Sequence, residues 1–228
     1  MDDRPARPDP TEGGAGPGLL IERYLPRYDV AVVHADVVRA PPAQCYARVL
    51  ALDLLRAPLI RVAMGVRRLP RRLSGVLHAP GRTPGPDADA PTFRLADMVD
   101  LGWIVLAETP GVEMVLGQVS RPWKADASPS AVPITTPTTA EEFTDFAAPG
   151  FAKIVTGLRV DRYGTDSSIL TLETRVATTD ALSRRRFRRY WLLIGPFSSA
   201  VRRTALRLLA AELRRDHQRS WEDPDSAG

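Results

Sequence analysis

Apolar residues recur at every second position in five separate segments of the chain. In the first segment, valines and alanines occupy both sides of the alternation, so both faces of that strand are apolar. Alternation of this kind is typical of β-strands, whose successive side chains point to opposite faces. The pattern predicts five strands, at Tyr28–Arg39, Trp103–Thr109, Val112–Arg121, Phe151–Tyr163 and Ser168–Thr178.

Helical spacing occupies much of the chain between the first two of these strands. Pro41-Pro42 ends the first strand and opens a helix, because proline is favoured in a first helical turn. The apolar spacing continues from Tyr46 to Val66 with an interruption at Pro58, which predicts a pair of helices. A short helix capped by Thr92 and ended by Gly102 is expected next.

The longest predicted helix runs from Ala181 to about His217. Pro196 follows Gly195 and is expected to kink this helix. A run of antiparallel strands beside one long helix must bury that helix on a sheet face, which predicts the α+β fold class. The apolar side of the helix has i, i+3, i+4, i+7 spacing, at Phe187, Tyr190, Trp191 and Ile194.

Proline, glycine and polar residues set the limits of the predicted domain. Residues 1–26 and 218–228 are predicted to be disordered tails, because they bury too little apolar surface to offset their ordering entropy. Residues 74–91 carry four prolines and three glycines, which predicts a long surface loop. The remaining chain, residues 27–217, is predicted to be one domain that contains this loop.

Composition excludes several classes of protein. Apolar residues make up 44% of the 228 residues, enough for a core, and the single cysteine, Cys45, cannot form an internal disulfide. No apolar run is long enough to span a bilayer and no signal peptide is visible, so we expect a cytoplasmic protein. A net charge of +4 is too small to predict nucleic-acid binding.

The expected turns of two hairpins predict which charged residues lie opposite each other. A turn centred on Pro110-Gly111 places Glu108 directly opposite Glu113, either as two solvated acids or as a pair with a raised pKa. In the last hairpin, matching apolar faces require a loop with an odd number of residues. A five-residue loop at 164–168 would place Arg159 opposite Glu173 in a ladder of ion pairs.

Candidate catalytic residues are few. His34 and Asp36 lie two apart on a strand, so their side chains share a face and form the one acid–base pair that the sequence suggests. A buried, structural histidine is the alternative interpretation. The chain has no nucleophile motif, metal-ligand spacing or glycine-rich phosphate loop, so neither a metal nor a cofactor is predicted.

Arginine is concentrated in the C-terminal helix. Eleven arginines lie between Leu182 and Arg219, against only Glu212 and Asp216. Such a surface could attract an anionic membrane or a protein partner. Nucleic acid is not expected, because few aromatic residues are interleaved with the basic ones. The candidate contact residues are Arg185, Arg188, Arg189, Arg202 and Arg203.

Several segments resemble the START-like (SRPBCC) superfamily, and bacterial members of it in particular. They are YDVAVVHADV, APPAQCYARV, GWIVLAETPGVEMVLGQVSRPW, APGFAKIVTGLRV, TLETRVATTD and RRRFRRYWLLIGPFSSAVRR, within about residues 27–210. The superfamily also contains polyketide cyclases and lipid-transfer domains. The resemblance implies a helix-grip fold, in which a curved antiparallel sheet wraps a long C-terminal helix and a cavity between them holds an apolar ligand.

Binding of a small hydrophobic molecule in that cavity is the leading functional expectation. A cyclase- or dehydratase-like enzyme using His34 and Asp36 is one alternative, and an interaction module acting through the arginine-rich helix is another. Apolar inward positions predicted to line the cavity are Trp103, Val105, Met114, Leu116, Leu158, Leu172, Trp191 and Ile194.

Overall fold

The structure is a computed structural model that describes residues 18–57, 61, 92–124 and 136–222, with side chains to residue 215. Its centre is a five-stranded antiparallel sheet with the order β1-β5-β4-β3-β2. All five predicted strands are confirmed, with ends within two residues of those expected. Their bounds are β1 Val30–Val38, β2 Ile104–Thr109, β3 Glu113–Ser120, β4 Ala152–Tyr163 and β5 Ser167–Thr178.

Four α-helices and two short 3₁₀ helices accompany the sheet among the described residues. The 3₁₀ helices are Leu54–Arg56 and Ala96–Leu101. The second ends at Gly102, as predicted, because the φ of +82° there suits glycine. Thr92 does not cap it, since the helix begins four residues later. The α-helices are α1 Leu20–Tyr24, α2 Pro42–Ala51, α3 Ala140–Asp145 and α4 Ala181–Glu222.

Helix α4 begins at a well-formed cap and extends over 42 residues. The Asp180 carboxylate accepts hydrogen bonds from the backbone N–H and the hydroxyl of Ser183, at 2.8 and 2.7 Å. The helix continues unbroken through Pro196. It packs against β1 and β5, and it also contacts α2. The α+β class is therefore confirmed: one long helix lies on one face of an antiparallel sheet.

Each sheet face carries its own apolar core. On the face covered by α2 and α4, the largest cluster joins Tyr46 of α2, Leu158 and Leu170 of the sheet, and Leu209 of α4. A smaller cluster lies around Phe187 near the start of α4. On the opposite face, α1 and α3 bury Ile21, Val115, Phe143 and Val155.

The prediction that Glu108 faces Glu113 was wrong. A β-bulge between Val105 and Ala107 shifts the register, so that Glu108 lies opposite Met114. Glu113 instead faces Arg159 on β4, and its carboxylate accepts a hydrogen bond from that guanidinium at 3.3 Å. The two acids therefore point to opposite faces of the sheet.

The loop of the last hairpin has an odd number of residues, as predicted, but its two strands pair in a different register. Its loop has three residues, 164–166, rather than five, because Tyr163 pairs with Ser167. Arg159 consequently lies opposite Thr171, and Glu173 lies opposite Gly157. A shift of two residues leaves every side chain on its predicted face. Thus Leu158 lies opposite Leu172 rather than opposite Thr174, which is on the same face.

The predicted domain limits need correction at both ends. Residues 20–24 form α1 rather than part of a tail, and Ile21 is buried against the sheet. At the other end, α4 continues to Glu222, past the predicted limit at residue 217. Residues 1–17, 58–60, 62–91, 125–135 and 223–228 lie outside the described residues. The second helix of the predicted pair and the predicted 74–91 loop therefore also lie outside them.

Candidate functional site

The sheet face beneath α4 is organised in rows of directly opposed residues. One row crosses all five strands: Glu108 faces Met114, which faces Leu158, then Leu172, then His34. Its three central residues are predicted ligand contacts, and a polar side chain stands at each end. Leu158 is buried in the core, whereas Met114 and Leu172 are partly buried against it.

The neighbouring row contains the polar pair Thr156 and Thr174, flanked by Leu116 and Val105 on one side and Val32 on the other. The two threonine hydroxyls are 3.0 Å apart and hydrogen-bond to each other. Thr156 is only partly buried, although it lies on the central strand and on the covered face. Val105, at the end of the row, is 44% exposed. Leu116 and Thr174 of the same row are buried, so the cover is incomplete at Thr156 and at Val105.

The structure brings five of the eight predicted lining residues onto one face: Val105, Met114, Leu116, Leu158 and Leu172. Trp191 lies on α4 rather than on the sheet, and its ring stacks on Phe187 at a centroid distance of 5.6 Å. Ile194, one helical turn after Tyr190, is partly buried. Trp103 immediately precedes β2 and is also partly buried.

His34 and Asp36 line a cavity of about 300 Å³ at the edge of the sheet, between β1 and α4. The two residues share a face, as predicted. The cavity is lined by charged groups of both signs rather than by the apolar row. Its residues are Val33, His34, Ala35, Asp36, Arg203, Leu206 and Arg207.

The contacts of His34 and Asp36 do not form an acid–base pair. The His34 Nε2 lies 3.2 Å from the carbonyl oxygen of Ser199, and Nδ1 lies 2.7 Å from that of Val33. Both ring nitrogens are thus directed at backbone oxygens rather than into the cavity. Asp36 accepts a hydrogen bond from the N–H of Val37 at 2.9 Å. The two side chains therefore engage the backbone of the sheet-edge strand and of α4.

Tyr46 is a polar contact on this face that sequence reasoning missed. Its hydroxyl donates a 2.6 Å hydrogen bond to the Glu108 carboxylate. Burial, together with this hydrogen bond to an anion, raises the pKa of Tyr46 above its usual range. The phenol therefore acts as a donor that ties α2 to the end of the sheet at β2. The bulge that turns Glu108 to this face left no recognisable sequence signal.

The five arginines predicted to contact a membrane fall into two groups. Arg185, Arg188 and Arg189 are exposed near the start of α4. By contrast, Arg202 is partly buried and donates to the Ser198 hydroxyl at 2.8 Å, and burial lowers its pKa. Arg203 lines the cavity beside Asp36. Of the five arginines, Arg202 is thus the one whose side chain is partly buried, and the other four are exposed.

Exposed leucines adjoin these arginines. Leu192 and Leu193 are 78% and 80% exposed, and Phe197 is 40% exposed. Sequence reasoning had singled out the opposite, inward side of α4 and missed these three. Their spacing from Arg185, Arg188 and Arg189, at three- and four-residue steps, was the available signal.

In the part of the chain that the structure describes, no helix is both long and apolar enough to cross a membrane. Within the same residues, no group of three or more His, Cys, Asp or Glu side chains is placed to hold a metal ion. Comparison of the chain with protein-family models, with curated proteins and with solved structures finds no match to any of them.

Proposed function

We propose that this domain binds a small hydrophobic molecule between the sheet and α4, in a START-like helix-grip arrangement. The observation that carries the proposal is the incomplete cover at Val105 and Thr156, in a row whose other members Leu116 and Thr174 are buried. On a central strand that is packed tightly under a helix, a residue such as Thr156 would be fully buried. Here it stays partly accessible between two apolar core clusters.

The chemistry of this face suits an apolar ligand with one or two polar groups. Met114 and Leu172 present partly buried apolar surface, and methionine adapts its shape readily to different ligands. The Thr156 and Thr174 hydroxyls, which bond to each other, could exchange that bond for one to a ligand. Ligand sites are commonly apolar with a few polar groups that fix orientation.

A catalytic role has less support than binding. The contacts of both His34 nitrogens with backbone oxygens leave neither ring nitrogen directed at a substrate in the cavity. The enzyme alternative thus lacks a placed base among the described residues, and we do not pursue it.

A matched pair of neighbouring substitutions tests the proposal. Thr156→Phe would fill the incompletely covered space but would also remove the hydroxyl partner of the buried Thr174, so it should cost less stability than Val155→Phe rather than none. It should abolish the complexes with oleic acid, a lysophospholipid or an aromatic polyketide that native mass spectrometry is expected to detect for the parent chain. Val155→Phe points to the opposite face, into a fully buried position, and should cost about 1–3 kcal/mol through overpacking. If Thr156→Phe destabilises the protein as much as Val155→Phe, or if the parent binds none of the three probes, the proposal is wrong.

A further inference from the structure

The side of α4 that faces away from the sheet carries an unusual combination of residues. Arginines occupy its first turns, and apolar side chains follow them directly along the same side. Three- and four-residue steps on a helix bring Arg185, Arg188, Arg189, Leu192 and Leu193 onto one face, and Phe197 lies at the border of that face beyond Leu193. We call these six residues the outer face of α4.

The residues on the opposite, inward side of α4 are packed in the domain, and this packing keeps the outer face exposed. Phe187 is buried against Trp123 and Trp191, and Ser183 is buried at the helix cap. The helix cannot rotate to bury Leu192 without pulling Phe187 out of its cluster. The exposure of the two leucines therefore follows from how the domain is built.

The arginines of the outer face have no acidic partners within the described residues. Arg184, one position before them, does pair with Asp29 at 2.6 Å. Glu212, near the other end of α4, pairs with Arg56. Arg185, Arg188 and Arg189 form no ion pair with any described acid, and all three are exposed.

We propose that the outer face of α4 docks on the surface of an anionic lipid bilayer. Basic residues beside exposed leucine and phenylalanine are typical of helices that lie in the membrane interface, where the apolar side chains enter the acyl boundary and the arginines meet headgroup phosphates. The helix would lie in the plane of the membrane, held by the domain on its other side. This proposal does not depend on the ligand site.

The charges and shape of the outer face favour a bilayer over other occupants. A second copy of the chain would bring one arginine cluster toward a surface that itself has no acid, which is electrostatically unfavourable. A folded acidic protein would need a groove to receive Leu192 and Leu193, which project from a convex helix. A fluid bilayer accommodates such projecting side chains without a preformed pocket.

Vesicle co-sedimentation of the full chain tests the proposal. We expect binding to phosphatidylcholine vesicles that contain phosphatidylserine, little binding to phosphatidylcholine alone, and weaker binding as salt rises. The double variant R188Q/R189Q should lower the affinity for the anionic vesicles about tenfold or more, since each basic residue near the surface adds to binding. L192S/L193S should lower it by about the same factor because two apolar side chains no longer insert.

A control variant separates the outer face from net charge. R94Q/R162Q removes two exposed arginines elsewhere and should change the vesicle affinity much less than R188Q/R189Q. Equal losses in both arginine variants, equal binding to neutral and anionic vesicles, or no binding at low salt would each overturn the proposal. So would a dimer that L192S/L193S converts to a monomer, or binding to polyglutamate without binding to vesicles.

Discussion

The two halves of α4 place the same residue type in opposite environments. After Pro196, Leu206, Leu209 and Leu213 are buried, the last two at 2% and 1% exposure. Before Pro196, Leu192 and Leu193 point to solvent. One continuous helix thus carries leucines that complete the core and leucines that are largely exposed to solvent.

This difference indicates which leucines folding requires and which are exposed for an interaction. In the C-terminal half, burial against α2 and the sheet accounts for each leucine. In the N-terminal half, Phe187, Tyr190 and Trp191 already supply the inward contacts, so folding does not require leucines on the other side. Exposed large apolar groups in a cluster indicate a binding surface. The predictions below test this division.

Phe187→Ala should have the largest effect on stability. Phe187 is 1% exposed and contacts the rings of Trp123, Tyr190 and Trp191, so its loss leaves a cavity where the N-terminal half of α4 meets the sheet. We expect the free energy of unfolding to fall by about 3–5 kcal/mol in chemical denaturation. A loss below about 1 kcal/mol would mean that this half of α4 is not anchored as described.

Leu209→Ala should cost about 2–5 kcal/mol, measured in the same way. Leu209 lies in the large core cluster with Tyr46 of α2 and Leu158 of β4. Its matched control is Leu208→Ala one position earlier, which changes a side chain only partly buried against that cluster and should cost less. Equal losses in the free energy of unfolding at the two positions would contradict the orientation assigned to the C-terminal half of α4.

Asp180→Ala should have a smaller effect that depends on pH. Hydrogen bonds from the Ser183 backbone and side chain hold the pKa of Asp180 at about 2, below its ordinary value of 3.8. Because the folded-state pKa is lowered, the carboxylate stabilises the fold above the ordinary value, and this contribution disappears as pH falls through about 2. The variant should therefore be less stable at neutral pH, and the difference should vanish in acid. A difference unchanged between pH 7 and strongly acidic conditions would contradict the cap.

Leu192→Ala and Leu193→Ala should change the free energy of unfolding by no more than about 0.5 kcal/mol each, because both side chains are already solvated. Thermal or chemical denaturation of the two single variants checks this expectation. A loss comparable to that of Leu209→Ala would show that these leucines are covered within the folded chain, and the contrast between the halves of α4 would disappear.

A period of two is a strong signal, so the sequence predicted the strands and, outside the bulged β2–β3 pair, the face on which each side chain lies. Even the wrong register of the last hairpin preserved the faces, since Arg159 moved from Glu173 to Thr171 in a step of two. The exact loop length carries a weaker signal. The β-bulge near Leu106 could not be foreseen, because it depends on the packing of that side chain over Gly117.

The sequence predicted less of the candidate site than of the sheet. Helix α1 has five residues, too few for a periodic signal, and its position depends on Ile21 packing over Gly157. The position of His34 and Asp36 on one face was predictable. The contacts of both histidine ring nitrogens with backbone oxygens were not. The inward side of α4 was identified from Phe187 and Trp191. That Leu192 and Leu193 remain uncovered depends on the tertiary structure.

A fluorescent label at residue 193 tests the central claim, that the outer face of α4 enters an anionic bilayer. Leu193→Cys can be labelled selectively with an environment-sensitive dye, because Cys45 is buried and burial raises the pKa of its thiol to about 11. Asp166→Cys, in the exposed β4–β5 turn, is the control. On addition of phosphatidylserine-containing vesicles, we predict a blue shift in emission at residue 193 and none at residue 166. Unchanged emission at residue 193, or an equal shift at both positions, would contradict the claim.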